Sequence, residues 1–143
     1  MIDLTPPFLP PARAAFQYPF ESLRRAGARL VGGSDWSVST PNVKAEVEVA
    51  MNRISPEDRS AAPFLPAEAL SLTDALAAFT NGSAWVNHLE DSTGTIEVGK
   101  LADLVVLDRD LYAADRRTIG VARVLLTLVE GEVAREDPAL ERG

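Results

Sequence analysis

The spacing of apolar residues changes near Gly94, and this change constrains the fold more than any other feature of the sequence. Before Gly94, apolar residues recur at helical spacing, for example over residues 20–26. After it they form short continuous runs, LVVL at residues 104–107 and VLLTLV at residues 124–129, which are typical of strands. The 143 residues are therefore predicted to be α/β-like to about residue 90 and β-rich afterwards, with enough length for a hydrophobic core.

One short apolar segment in the first part is predicted to be a buried strand. It has the sequence ARLVGG at residues 28–33 and follows a helix that we expect to end at Gly27, because glycine favours the position after a helix. A helix followed directly by a strand is half of an α/β unit. Asp35 lies just beyond the carboxyl end of this predicted strand.

Further helices are predicted between residues 40 and 89. Thr40 and Pro41 are typical of a helix start, and Ser71 and Asp74 have the spacing of a capping box. The sequence TNG at residues 80–82 is predicted to end the second of these helices. The expected apolar faces comprise Val43, Val47, Ala50 and Ile54 in the first helix, Leu72, Leu76 and Phe79 in the second, and Trp85, Val86 and Leu89 in a short third helix.

The second part is predicted to consist of strands and tight turns. We expect a short strand after Gly94, a turn at Gly99, a strand at residues 104–107 and a hairpin whose two-residue turn is Glu130-Gly131. These limits divide the chain into a first region of residues 1–90, a second region of residues 91–136 and a frayed tail of residues 137–143.

The composition argues against several classes of partner. A formal net charge of −7 disfavours nucleic acid, because phosphate binding needs clustered Lys and Arg. The apolar runs are too short to cross a bilayer. The absence of cysteine excludes disulfides, thiolate metal sites and a cysteine nucleophile. No signal peptide is recognisable, and a cytoplasmic location is expected. The proline-rich sequence TPPFLPP at residues 5–11 is predicted to be extended.

Asp35 is the main candidate for catalysis in the sequence. Functional side chains of parallel α/β barrels lie at the carboxyl ends of strands, where Asp35 is predicted to be. On the residue pattern alone, an aspartate after two glycines is more often a turn or cap residue. Both interpretations remain open at this point.

The other polar candidates favour structural roles. His88, the only histidine, lacks the HExxH pattern and is expected to be a partly exposed helix residue, and this also weighs against a Ser-His-Asp hydrolase built on Ser34. Asp103 is expected to bind backbone N–H groups of the turn near Gly99 and Lys100. Asp108, Asp110 and Asp115 lack the glycine and glutamate of a calcium loop and are predicted to be turn residues.

Three stretches carry a family resemblance that covers about residues 18–134. They are YPFESLRRAGARLVGGSDWSVSTP, LSLTDALAAFTNGSAWVNHLEDSTGTIEVGKLADLVVLDRDLY and VARVLLTLVEGEVA. In sequence, order and spacing they resemble the C-terminal portion of the metal-dependent amidohydrolase superfamily. The resemblance is closest to its amidohydrolase 3 branch, which includes N-substituted formamide deformylase-like enzymes.

The resemblance implies a fold and a function. The fold would be the C-terminal fragment of a (β/α)8 TIM-like barrel, with the last strand and its flanking helices, plus part of a small β-sandwich built from both chain ends. The activity would be hydrolysis of carbon–nitrogen bonds other than peptide bonds in a small amide-type substrate. Asp35 matches the aspartate after the eighth barrel strand, which contacts a divalent metal, most commonly zinc, and takes the proton from the attacking water.

The resemblance also implies what this chain would lack. Ser37 stands where the family commonly has proline, and the histidine ligands and the bridging Lys or acid lie upstream in family members. We therefore expect a fragment that retains Asp35 as a single ligand, binds no metal alone and is inactive alone. It would associate as a homo-oligomer or with a chain that supplies the rest of the barrel.

Two other functions remain open from the sequence. In the first, the chain is a non-catalytic interaction or oligomerisation module derived from the same fold. In the second, it is a small self-sufficient hydrolase that combines Asp35 with Glu46 or Asp74.

Overall fold

A computed structural model describes residues 6–138 and residue 140 as a mixture of helices and strands. Residues 1–5 and residues 139 and 141–143 of the predicted tail lie outside the described residues. Where it is described, the proline-rich segment is not extended as predicted, because Pro6–Phe8 forms a 3-10 turn. The helices are α1 (Pro11–Ala14), α2 (Phe20–Arg25), α3 (Val43–Asn52), α4 (Leu72–Ala77) and α5 (Ser83–Val86), and the strands are β1 (Leu104–Leu107), β2 (Val124–Val129) and β3 (Glu132–Glu136).

Helix α2 ends where the sequence predicts. Gly27 has a φ of +88°, which glycine adopts without steric cost, and the N–H of Ala28 donates to the carbonyl of Leu23 across this turn. Glu21 in the first turn is nearly buried and accepts hydrogen bonds from Arg24 and Arg25. These bonds lower the pKa of Glu21 to about 2.

The predicted buried strand at residues 28–33 is wrong. The segment forms no strand, and the side chain of Val31 is 42% exposed. Its hydrogen bonds go to the helical stretch that follows α4: the N–H of Gly32 donates to the carbonyl of Ala78 at 2.8 Å. A strand needs a neighbouring strand for its ladder, and the described residues place none beside this segment.

Helix α3 begins later than the sequence predicts. Its N-cap is Asn42, and the hydroxyl of Thr40 accepts a hydrogen bond from the N–H of Asn42 and does not cap the helix. The buried side of α3 consists of Val47, Glu48 and Met51, whereas Val43 is exposed.

The capping box at Ser71 is confirmed, but the predicted helix break at residues 80–82 is wrong. The hydroxyl of Ser71 accepts a hydrogen bond from the N–H of Asp74 at 3.1 Å. Helix α4 continues through one turn of π-helix, Ala78–Gly82, directly into α5. This segment is called the π-turn below, and α4, the π-turn and α5 together are called the α4–α5 stretch. Gly82 has helical dihedral angles, and it is glycine at a position where a side chain would collide with the carbonyl of Leu30.

The hydrophobic core lies between the helices. Val47 of α3 and Ala75 of α4 pack with Ile119, which begins a 3-10 turn at Ile119–Val121 and is fully buried. Met51 and Leu70 complete the buried cluster, and the partly buried hydrophobic residues packed against it are Leu30, Ala50, Leu72, Leu76, Phe79 and Leu111.

The sheet is antiparallel with the strand order β1-β2-β3. Glu130 and Gly131 both have positive φ, as the predicted two-residue hairpin turn requires. The predicted strand after Gly94 is wrong, because residues 95–98 pair with no strand and Ile96 is 88% exposed. A fragment of a parallel barrel is not confirmed by this architecture, in which all the strands of the described residues pair antiparallel.

Candidate functional site

Asp35 lies in an exposed turn with a free carboxylate. Its φ is +49°, a left-handed conformation in which aspartate is enriched among non-glycine residues. Its carbonyl accepts a hydrogen bond from the N–H of Val38 at 2.8 Å, which closes the turn. Within residues 6–138 and 140, its carboxylate makes no hydrogen bond or ion pair. The backbone of Asp35 therefore has the turn role, while its side chain stays available for chemistry.

The approach to this turn is fixed against the helical stretch α4–α5. Both polar groups of the Gly32 backbone are bonded there: the N–H to the carbonyl of Ala78, and the carbonyl to the hydroxyl of Ser83 at 2.7 Å. Ser83 is not among the residues predicted from the sequence. The only signal was the pair of small residues, Gly82-Ser83, in an otherwise helical pattern.

The carboxylates offered as partners of Asp35 are engaged elsewhere or lack a partner. Asp74 accepts from Ser71 at 2.6 Å and pairs with the guanidinium of Arg24 at 3.5 Å. Glu46 has one buried carboxylate oxygen without a hydrogen-bond donor among the described residues, and burial raises the pKa of Glu46. Neither is bonded to Asp35, so the structure offers no support for a self-sufficient hydrolase.

His88 does not lie within a helix as predicted. Helix α5 ends at Val86, Asn87 is its C-cap, and His88 follows in an exposed left-handed conformation with a φ of +58°. The part of the chain that the structure describes contains no group of three or more His, Asp or Glu residues placed to hold a metal ion.

The aspartates of the second region have structural roles. Asp103 accepts from the N–H of Glu130 at 2.8 Å, so it holds the hairpin turn and not the predicted turn near Gly99. Hydrogen bonds from Arg109 and Arg123 lower the pKa of Asp108. The remaining turn aspartates are as predicted: Asp110 accepts from the N–H of Tyr112, and Asp115 from that of Arg117.

The described residues also form an apolar groove. It has a volume of about 480 Å³ and lies between the α4–α5 stretch and β1. Its wall does not include Asp35. Among its lining residues are Phe79, Ala84, Leu89, Ile96, Leu101 and Leu104.

Comparison with known proteins defines the family. The sequence model described as the amidohydrolase family matches residues 1–135. Because this match covers nearly the whole chain, the chain belongs to the amidohydrolase family. No solved structure is similar enough to count as a match.

Two curated relatives are similar over most of the chain. Protein LONG AFTER FAR-RED 3 of Arabidopsis thaliana is 36% identical over 115 residues, which cover 80% of this chain and 19% of that protein. N-substituted formamide deformylase of Arthrobacter pascens is 31% identical over 119 residues, which cover 83% of this chain and 21% of that protein. The chain thus matches about a fifth of the length of these relatives.

No helix among residues 6–138 is both long enough and apolar enough to cross a membrane.

Proposed function

We propose that this chain is the C-terminal segment of a metal-dependent hydrolase that cleaves carbon–nitrogen bonds other than peptide bonds. The observation that carries the proposal is the free carboxylate of Asp35, which follows a fixed backbone segment in a chain of the amidohydrolase family. In this proposal the segment supplies the end of a TIM-like barrel and part of a small β-sandwich. A cytoplasmic location stays a prediction.

Asp35 would act as the general base. A carboxylate without an internal partner can accept a proton from the attacking water and later give it to the nitrogen of the leaving amine. An ion pair would compete with both transfers, and the described residues place no cation on Asp35. Hydrolysis of an N-substituted formamide, for example, would yield formate and the free amine.

The described residues do not fit a catalytic metal by themselves. A catalytic zinc normally has three protein ligands, whereas Asp35 offers one carboxylate and is not part of a cluster in the described residues. Zinc or another divalent metal would need further ligands from outside this segment. We therefore expect the isolated chain to bind no metal stoichiometrically and to hydrolyse no amide.

A segment exchange tests the proposed activity. The 119-residue segment of the Arthrobacter deformylase that aligns with this chain would be replaced by the matching residues of this chain. We expect the chimera to release formate from an N-alkylformamide. The Asp35→Asn variant should lower kcat by about 100-fold or more, because it removes the proton acceptor.

The matched control is Asp110→Asn, which alters an exposed turn aspartate outside the site. We expect it to leave turnover unchanged. A chimera whose Asp35→Asn variant keeps full activity would contradict the proposed role. For the isolated chain, native mass spectrometry with metal analysis is the test, and one zinc per chain together with turnover would contradict its predicted inactivity.

Exposed apolar residues favour a second function, a non-catalytic interaction module. Strands β1 and β3 are the edges of the sheet, and edge strands offer unpaired backbone groups to other chains. Ile96, which precedes β1 in the chain, and Val105, within β1, are largely exposed. Self-association is the expected result of light scattering on the purified chain, and a complex is the expected result once a chain that supplies the rest of the barrel is added. A monodisperse monomer would count against this partner proposal.

A further inference from the structure

We propose that Ser83 is a positioning residue for Asp35 and acts through the peptide groups of Gly32. The proposal rests on the catalytic role proposed for Asp35. In this proposal the α4–α5 stretch fixes the backbone that carries the carboxylate of Asp35.

The π-turn presents the acceptor for this contact. A π-turn is a local departure from α-helical hydrogen bonding and is frequent at functional sites. Here the carbonyl of Ala78, at the start of the π-turn, accepts from the N–H of Gly32 at 2.8 Å and lies 3.1 Å from the hydroxyl oxygen of Ser83. A helix carbonyl is thus bonded to a segment 46 residues earlier in the chain.

The hydroxyl of Ser83 fixes the other side of the same residue. A hydroxyl has one proton to donate, and its distance to the carbonyl of Gly32, 2.7 Å, is shorter than its distance to that of Ala78. Gly32 is therefore held at both its N–H and its C=O. Neither bond alone would fix both the position and the rotation of this backbone segment.

Close packing explains why glycine occupies this contact on both sides. A Cβ on Gly32 would lie 2.7 Å from the ring of Phe79, and a Cβ on Gly82 would overlap the carbonyl of Leu30. The two backbones approach more closely than side chains allow.

The contact is also near enough to Asp35 to restrict its position. Gly32 is three residues before Asp35, and three residues reach at most about 10 Å even when fully extended. The preceding backbone bond of this segment, from the N–H of Ala28 to Leu23, is seven residues before Asp35. Loss of the Ser83 contact would leave the approach to Asp35 with a single hydrogen bond, that from Gly32 to Ala78.

NMR hydrogen exchange on the 143-residue chain tests the coupling. Ser83→Ala removes the hydroxyl and keeps a good helix former, so we expect the variant to fold. The Gly32 amide should exchange about 5- to 10-fold faster, because the hydrogen bond to the carbonyl of the same residue is lost and the backbone there can open more often. The 13C signals of the Asp35 carboxylate and Cα should shift in the same variant.

The matched control is Thr80→Ala, because the hydroxyl of Thr80 donates within the helical stretch, to the carbonyl of Leu76, and does not reach residues 30–33. It should leave the Gly32 amide and the Asp35 signals unchanged. A merely structural Ser83 would speed exchange at the buried Ala75 amide by the same factor as at Gly32, and that outcome overturns the proposal. So does an unchanged Gly32 amide in Ser83→Ala, or an unprotected Gly32 amide in the wild-type chain.

The chimeric enzyme separates this proposal from the proposed function. There, Ser83→Ala should lower kcat by about 10- to 100-fold with little change in KM, because it displaces a catalytic group and no substrate contact. Full activity of Asp35→Asn would overturn the proposed function and leave the NMR coupling intact. Loss of activity in Asp35→Asn together with unchanged kinetics in Ser83→Ala would overturn the positioning role alone.

Discussion

The helical part of the molecule and its sheet are held together in different ways. Helices α3 and α4 bury the side chains of Val47 and Ala75 against Ile119, which has no exposed surface. No residue of β1, β2 or β3 is buried. The sheet is defined by its backbone ladder and by the turn at residues 130–131, to which Asp103 adds a hydrogen bond.

This difference separates two uses of apolar residues. In the helical part they stabilise the segment that carries Asp35, since Leu30 and Phe79 pack against the buried cluster. In the sheet and the residues before it, similar residues such as Ile96 and Val105 remain largely exposed. The helical part therefore has a buried core, which Ile119 from the connection between β1 and β2 completes, whereas the apolar side chains of the sheet stay partly or largely exposed.

The largest expected effect comes from a matched pair of isoleucines. Ile119→Ala should lower the free energy of unfolding by about 2–5 kcal/mol, because it opens a cavity in the core. Ile96→Ala should lower it by less than about 0.5 kcal/mol, because Ile96 is 88% exposed. Urea denaturation of both variants checks the comparison. Equal losses of the free energy of unfolding would show that Ile96 is packed as well as Ile119 and would contradict the comparison.

A second effect concerns the buried carboxylate of Glu48. It accepts from the N–H of Gly120 at 2.7 Å and pairs with Arg59 at 3.2 Å, and so joins α3 to the turn at Ile119–Val121. Glu48→Ala leaves that buried N–H without an acceptor, and we expect a loss of about 1–3 kcal/mol in the free energy of unfolding.

The control for Glu48→Ala is Glu57→Ala, which removes an exposed loop carboxylate. We expect the control to be close to neutral in the same urea titration. A Glu48→Ala variant as stable as the control would mean that this link contributes little to the helical part.

The smallest effect is a gain from Glu46→Gln. Burial raises the pKa of Glu46 in the folded state above its value in the unfolded chain, so its contribution is fully present below the unfolded pKa and is lost as the pH rises through the folded pKa. A neutral amide carries no charge, so it removes the cost of burying the ionised carboxylate. We expect a gain of up to about 1 kcal/mol at pH 7 that shrinks towards pH 4.

Thermal denaturation at both pH values measures this gain, with Glu57→Gln as the exposed control. A variant that is stabilised equally at pH 4 and pH 7 would contradict the role of the carboxylate charge.

The parts of the fold that follow from local chemistry could be predicted from the sequence. Ser71 caps α4 because its hydroxyl and the Asp74 N–H are three residues apart, and the Glu130-Gly131 turn follows from the conformational freedom of glycine. These devices need no information about distant residues. Strand β1 also begins and ends at the predicted residues.

Two of the errors occur where a distant contact decides the conformation. Leu30 and Val31 have the composition of a strand, but the backbone of this segment bonds to a helix. The TNG sequence has the composition of a helix end, but Gly82 is there for its close approach to Leu30. Asp35 could be selected from its place after two glycines and from the family resemblance. Ser83 could not, since its partner lies 51 residues away.

The number of residues in the π-turn, and not only their identity, determines whether Ser83 can reach Gly32. One residue more or less rotates all that follows in a helix by about 100°. A deletion between residues 78 and 82 would therefore swing the Ser83 hydroxyl around the helix axis and away from Gly32, with no amino acid at the contact itself replaced. Insertions and deletions in related chains that keep this site should accordingly avoid the five residues of the π-turn and collect in the loops on either side.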